Sequence, residues 1–333
     1  MRLKSALTFI VFGTSLALGV SGALAEVKVK FGTNWKAEAE HGGFYQSVVD
    51  GTYKACGLDV TIVPGGPQVN NRILLPTGKV DFLMGANLLE AFNSVSEGIP
   101  TKVVAAIFQK DAQVLLSHPG AYKEFTDLKS ATMFLSAGGV QSYYQWMITE
   151  FGFKPEQVRP YTFNPAPFIA DPKSVQQAYI TSEPFAVEKA GGFKPQIWVM
   201  GDIGFNTYAT TIETTDEMIA KKPDVVQCFV DGSIKGWYNY LYGDNKAANA
   251  MIKKDNPEMD DDQIAFSIAQ MKSYGLLDSG DALKTGIGTM LPERFKSFYD
   301  KMVKSKVVKP DLDLSKVYTT AFVNKGVGMD LKK

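Results

Sequence analysis

Val27, Val29 and Phe31 are apolar and the lysines between them are charged, the alternation of a strand with one buried face. From Gly43 the spacing turns helical, with Phe44 and Val48 beside Tyr45, Val49 and Tyr53, until Gly57 supplies a stop. Residues 58–63 predict a second strand, 68–77 a short helix and 79–85 a third strand. A helix then runs to Glu97, and the almost wholly apolar residues 102–109 predict a strand buried on both faces. This β-α-β-α-β-α-β rhythm predicts a parallel sheet with helices on both faces, an α/β fold.

The apolar run breaks at Gln109, Lys110 and Asp111 and resumes over residues 113–117, which marks a crossing into a second α/β unit. That unit reads as a strand over 132–135, a turn at Ser136, Ala137, Gly138 and Gly139, and a helix carrying Tyr143, Tyr144 and Trp146. A strand over 159–163, a helix over 173–179, a helix opened by Pro184 with Glu183 as its N-cap, and a strand over 196–200 complete it. Residues 208–213 return the chain as a strand to the first unit. The remainder is helical, at 223–242, 246–254, 260–274 and 292–304, with Asp244, Asp260 and Asp278 as expected caps. The expected division is residues 26–111 plus 203–333 for one lobe and 112–202 for the other, with residues 1–25 outside both.

Those first residues read as an export signal. Arg2 and Lys4 precede an apolar run from Ala6 to about Val20, and Ala23, Leu24 and Ala25 form the small-x-small pattern of a cleavage site. An uncleaved membrane anchor is the alternative. With cleavage, the protein is expected in the periplasm. The 35 Lys and Arg balance the 35 Asp and Glu, so no global field points to nucleic acid or an anionic membrane. Cys56 and Cys228 show no metal spacing. A disulfide is chemically allowed in that compartment, but the expectation is two buried free thiols, since Cys packs as a small apolar residue.

The chain shows none of the motifs of a nucleophile, a base or a metal centre. His41 and His118 are the two histidines, and neither lies in a zinc-binding spacing. No GxSxG, P-loop or GxGxxG follows a strand, and no cofactor is expected. What remains is a set of polar and aromatic residues at strand-to-helix junctions, where open α/β sheets bind ligands. Trp35 either stacks on a flat ring or packs in the core. His41 either donates to a ligand or caps the helix it precedes. Glu183 can accept N–H groups from an amine or aminopyrimidine as well as capping its helix. Ser136, Gly138 and Gly139 form a backbone-donor turn without the Lys of a phosphate loop. Asn34, Gln68, Asn87, Gln141 and Asn164 complete the candidate ligand set, each with a cap or turn role as the plainer reading. Arg72 is the one Arg near such a junction, and no bidentate fork for a strong anion is evident.

Several of these residues resemble a known family. Asn34, Trp35, His41, Gly42, Gly43, Phe44 and Tyr45 after the first strand, then Gly57, Leu58, Asp59 and Val60, are similar to the opening of periplasmic solute-binding proteins related to thiamine-pyrimidine synthases. Gly78 to Phe82, Gly98, Ile99 and Pro100, and Ser182, Glu183 and Pro184 extend the likeness over most of the chain. The family includes binders of formylaminopyrimidine and is more distantly similar to alkanesulfonate and nitrate binders. The resemblance implies a type II clamp of two doubly wound sheets, joined by a two-crossing hinge and followed by C-terminal helices. It implies a monomer that delivers a small heterocycle to an inner-membrane ABC permease with its ATPase. It also maps the family's aromatic, His and second-lobe Glu onto Trp35, His41 and Glu183. The family's synthases carry a Cys-rich motif that Cys56 and Cys228 do not form, so binding rather than catalysis is the expectation.

Overall fold

Ten strands carry the architecture: Val27–Gly32 (β1), Leu58–Val63 (β2), Phe82–Asn87 (β3), Thr101–Phe108 (β4), Gln113–Ser117 (β5), Thr132–Leu135 (β6), Val158–Pro160 (β7), Ser174–Tyr179 (β8), Gln196–Val199 (β9) and Ala209–Thr215 (β10). The computed structural model describes residues 26–332 apart from Pro67, Gln68 and Asn70, so the expected export signal lies outside the described residues. The strands form two five-stranded sheets in two lobes, ordered β2-β1-β3-β10-β4 and β7-β6-β8-β5-β9. This is the mixed α/β clamp the sequence predicts.

The pairing is less uniformly parallel than the sequence rhythm implies. β1 pairs in parallel with β2 and β3, but β10 enters antiparallel between β3 and β4. In the second sheet β6 is parallel to β7 and β8, whereas β5 is antiparallel to β8 and β9. The antiparallel strands adjoin the crossings between lobes: β4 leads to β5 with no helix between them, and β9 leads to β10 through the single short helix Met200–Ile203. β4 is a border strand in its sheet, yet it is buried along its length, because Val103 pairs with Tyr318 and Ala106 with Gly288 across its free edge.

Two predicted helices are corrected. Among the described residues of 68–77, Asn71–Ile73 forms a short 3-10 turn in place of the expected helix. Residues 174–179 form β8, near the centre of the second sheet. Gln176 and Gln177 look like helix formers, but buried partners decide otherwise: Gln176 Nε2 donates to Tyr161 Oη at 3.3 Å, and Gln177 Oε1 accepts the Ser136 N–H at 2.6 Å. The strand expected at 159–163 ends at Pro160. Asp260 is an N-cap, accepting from the Gln263 N–H, while Asp278 instead accepts from Tyr242 Oη and pairs with Lys332. Asn245 stands at the cap position expected of Asp244.

The long Pro223–Tyr242 helix holds the first lobe together. Phe229 stacks on Phe82 at 4.1 Å between ring centroids and on Tyr53 at 5.2 Å. The helix Gly42–Val49 crosses it at close range, because a Cβ on Gly43 would collide with the Trp237 ring. That contact seats the loop following β1 against the core. Cys56 and Cys228 lie on the packed helical segments with Cα atoms 6.0 Å apart and form a disulfide, which corrects the free-thiol expectation. No helix among the described residues is long and apolar enough to cross a membrane.

Candidate functional site

The loop after β1 is pinned by its backbone. Thr33 O accepts from Asn71 Nδ2 at 2.6 Å, Trp35 O from the Gly65 N–H at 3.0 Å, and Ala37 O from Asn256 Nδ2 at 2.8 Å. The half-buried Asn34 lies in this loop with its backbone against Gly65. With its carbonyl held, Trp35 projects its ring to the other lobe, where it meets Phe163 at 4.5 Å between centroids and a 50° tilt. Phe163 is 41% exposed and has a φ of 62°, a left-handed conformation uncommon for an aromatic residue. Tyr161 stands 5.1 Å from Phe163, and its hydroxyl faces Glu183 Oε1 at 3.4 Å. An aromatic pair thus bridges the lobes beside a carboxylate.

Glu183 is the first residue of the helix Glu183–Gly191, and Ser182 is its N-cap, which corrects the expected cap role. Its Oε2 accepts the Tyr179 N–H at 2.8 Å. Facing it from the first lobe are Glu38 and Glu40 of the β1 loop. Glu40 is 3% exposed, lies against Thr181, and its Oε1 has no hydrogen-bond partner. Burial, and then the neighbouring carboxylates Glu40 and Glu183, hold the Glu38 carboxyl well above its ordinary range. Burial likewise raises Glu40, and it pushes Glu183 up to about 7 with Glu40 adding to the effect. His41 is buried, with neither ring nitrogen hydrogen-bonded and Nε2 4.0 Å from Glu38 Oε1, and burial depresses it to about 3. A neutral imidazole at neutral pH follows.

A second cluster sits at the crossing. Asn87 caps the helix Leu88–Ser96 by accepting the Leu89 N–H. Beside it Asp111 accepts the Gln113 N–H through Oδ1, is 6% exposed, and leaves Oδ2 without a partner. Burial raises Asp111 to about 7. Across from it, Ser136 Oγ accepts the Gly139 N–H at 3.2 Å, and Gln177 Oε1 takes both the Ser136 N–H and, at 3.3 Å, the Tyr143 hydroxyl. A Cβ on Gly139 would lie 2.6 Å from Gln177 Oε1, so a side chain there would displace the end of Gln177. The Ser136 N–H is therefore engaged within the chain. Asp111 and Glu183 both act on the Tyr143 hydroxyl, which places the two clusters within electrostatic reach of each other.

The structure thus brings Trp35, His41, Asn87, Ser136, Gly139 and Glu183 to facing parts of the two lobes. Gly138, Gln141 and Asn164 are exposed, and Asn164 accepts the Ala166 N–H as a turn residue. Gln68 lies outside the described residues. Sequence reasoning missed Glu38, Glu40, Asp111, Tyr161 and Phe163. Glu38 and Glu40 stood in the loop already singled out, and two acids flanking a small residue beside a His was the available signal. Arg72 donates to Glu213 Oε1 at 3.0 Å, Glu90 Oε2 at 3.5 Å and Ser94 Oγ at 2.6 Å, so its charge is balanced by two carboxylates. Among the described residues no three His, Cys, Asp or Glu side chains are grouped to hold a metal.

Glu183 has a consequence for pH. Its folded-state value of about 7 lies above the ordinary 4.5, so between these pH values the folded chain keeps a proton that the unfolded chain has lost. Stability of the unliganded protein therefore falls as pH rises across this window, by up to about 3 kcal/mol from this group alone. Melting temperatures of wild type and Glu183→Gln measured from pH 4 to 8 should diverge, with the variant gaining as pH rises. Parallel curves would contradict the assignment.

Comparison with known proteins agrees with this architecture. The chain matches the family model described as NMT1/THI5 like over residues 38–248. No curated protein matches its sequence. Among solved structures it is similar to the ligand-binding component of an ABC-type import system from Staphylococcus aureus, at 14% identity and a TM-score of 0.62, covering 90% of this chain and 99% of that one. The alkanesulfonate-binding protein from Xanthomonas axonopodis pv. citri is similar at 12% identity and a TM-score of 0.61, over 90% of this chain and 100% of that one. The desulfurization enzyme DszB shares the fold at 10% identity and a TM-score of 0.54, over 91% and 99% of the respective chains. With the family model spanning more than half of its residues, the chain belongs to the NMT1/THI5-like family.

Proposed function

We propose that the protein is the substrate-binding component of an ABC importer and captures a small flat heterocycle, a pyrimidine or related vitamin precursor, between its lobes. The observation that carries this reading is the contact of Trp35 with Phe163 across the lobes, beside Glu183. A ligand ring entering there exchanges the edge-tilted aromatic contact for stacking on the indole, and its N–H groups bond to the Glu183 carboxylate. The moving units are residues 26–111 plus 203–333 and 112–202, which open and close about the two crossings. The disulfide fits an oxidising compartment and the export signal read in the first 25 residues. The mature monomer works in the periplasm, binds its ligand without converting it, and delivers it to an inner-membrane permease with its ATPase.

Calorimetric titration against pyrimidines tests the site. Trp35→Ala and Glu183→Ala are each expected to weaken binding at least tenfold, about 1.4 kcal/mol or more. Full affinity in both variants would remove the assignment.

A further inference from the structure

We propose that the helix Asp261–Ser273 is a clasp between the lobes, whose Ser267 and Gln263 hold the turn before Glu183 in place while the cleft is closed and release it when the cleft opens. The inference goes beyond the binding reading above and rests on it only for the opening and closing of the lobes. The chain entering the helix is tied to the first lobe. Lys36 pairs with Glu258 at 2.6 Å, and Asn256 Nδ2 donates to Ala37 O at 2.8 Å, both bonds reaching the loop after β1. The chain leaving it is tied to the first crossing, where Leu276 O accepts the Gln109 N–H at 2.6 Å and Tyr274 O accepts from Lys110 Nζ at 3.0 Å.

Between those anchors the helix grips the second lobe. Ser267 Oγ donates to Thr181 O at 2.7 Å, and Gln263 Nε2 donates to the same oxygen at 3.2 Å. Phe266 meets Phe185 at 5.4 Å between ring centroids, and Lys189 pairs with Asp260 at 3.0 Å. The numbers rise along one helix as they fall along the other, so Asp261–Ser273 and Glu183–Gly191 lie antiparallel across the lobes. Thr181 and Ser267 are buried, and Ser182 caps the Glu183 helix without a side-chain bond of its own. The turn two residues before Glu183 is therefore fixed in part from the opposite lobe. A hinge motion keeps the bonds within each lobe and parts those between them. The exposed Lys189–Asp260 pair adds little to the grip, which falls to the buried bonds on Thr181 O and to the phenylalanine pair. Ser267 and Gln263 are on this account positioning residues, acting on a carboxylate that the other lobe carries.

The test compares the full mature chain with the double variant Phe266→Ala, Ser267→Ala. Alanine is the best helix former, so the helix itself is expected to persist, with an unchanged far-ultraviolet circular dichroism spectrum. Small-angle X-ray scattering of the ligand-free proteins should give a larger radius of gyration for the variant than for wild type, and Phe266→Leu, which keeps an apolar contact, should scatter like wild type. Stopped-flow kinetics with 4-aminopyrimidine should show dissociation at least about threefold faster in the double variant, with association within about twofold of wild type, a split that packing confined to one lobe would not produce. Scattering curves of wild type and double variant that superimpose overturn the clasp. Failure of 4-aminopyrimidine to bind even wild type counts against the pyrimidine reading instead, and the ligand-free scattering still decides the clasp.

Discussion

Reduction of the Cys56–Cys228 bridge, or its replacement by a pair of serines, is expected to lower the stability of the protein by about 5 kcal/mol, from the chain entropy of a closed loop of 172 residues. The loop contains the whole of the second sheet, since β5 to β9 lie between the two cysteines. Without the bridge, the unfolded first lobe is free to separate widely at the point where the second lobe is inserted. The effect acts mainly on the unfolded ensemble, so the lobes and the ligand site of the reduced protein should stay intact at low temperature. Urea unfolding with and without a phosphine reductant measures it, and free-thiol titration of the untreated protein should find none. Superimposable unfolding curves, or two reactive thiols, would contradict the pairing.

Arg72→Ala is the second large effect, expected to cost about 3–5 kcal/mol. Glu213 is 1% exposed at the middle of β10, a strand flanked on both sides in its sheet, and Arg72 is its cationic partner. Thr211 Oγ1 adds one donor at 3.2 Å, which cannot neutralise a carboxylate. The carboxylate fills the space that the missing side chain of Gly85 leaves, since a Cβ there would collide with Glu213 Oε1. Truncating Arg72 therefore leaves a buried charge behind. Arg72→Ala combined with Glu213→Gln should recover most of the loss, since the amide is neutral in the same volume. Denaturant titration of the single and double variants decides it. An Arg72→Ala protein within 1 kcal/mol of wild type would remove the pair from the account.

The strands on the first sheet were legible because their pattern is local. Val27 to Phe31 alternate and residues 103–108 are apolar throughout; burial follows the first pattern from Val29 onward and the second throughout. β8 was not legible, because Gln176 and Gln177 are polar and helix-compatible in isolation. Their strand conformation is set by Tyr161 and Ser136, which lie 15 and 41 residues away. The same holds for the antiparallel entry of β10, a matter of which sheet gap receives the returning chain. Trp35 and Glu183 could be proposed from the sequence, since each stands at a strand-to-helix junction. Phe163 could not, as its place depends on a left-handed backbone in the loop after β7 and on the lobe opposite. The acidity of the cleft was hidden for another reason: a balanced total of 35 against 35 says nothing of where the charges collect.

A crystal structure of the protein grown with a pyrimidine that binds it in the calorimetric titration tests the central claim most directly. The account predicts the ring lying between Trp35 and Phe163, with its N–H groups within hydrogen-bond distance of Glu183. A probe bound elsewhere, with the Trp35–Phe163 contact undisturbed, would contradict it.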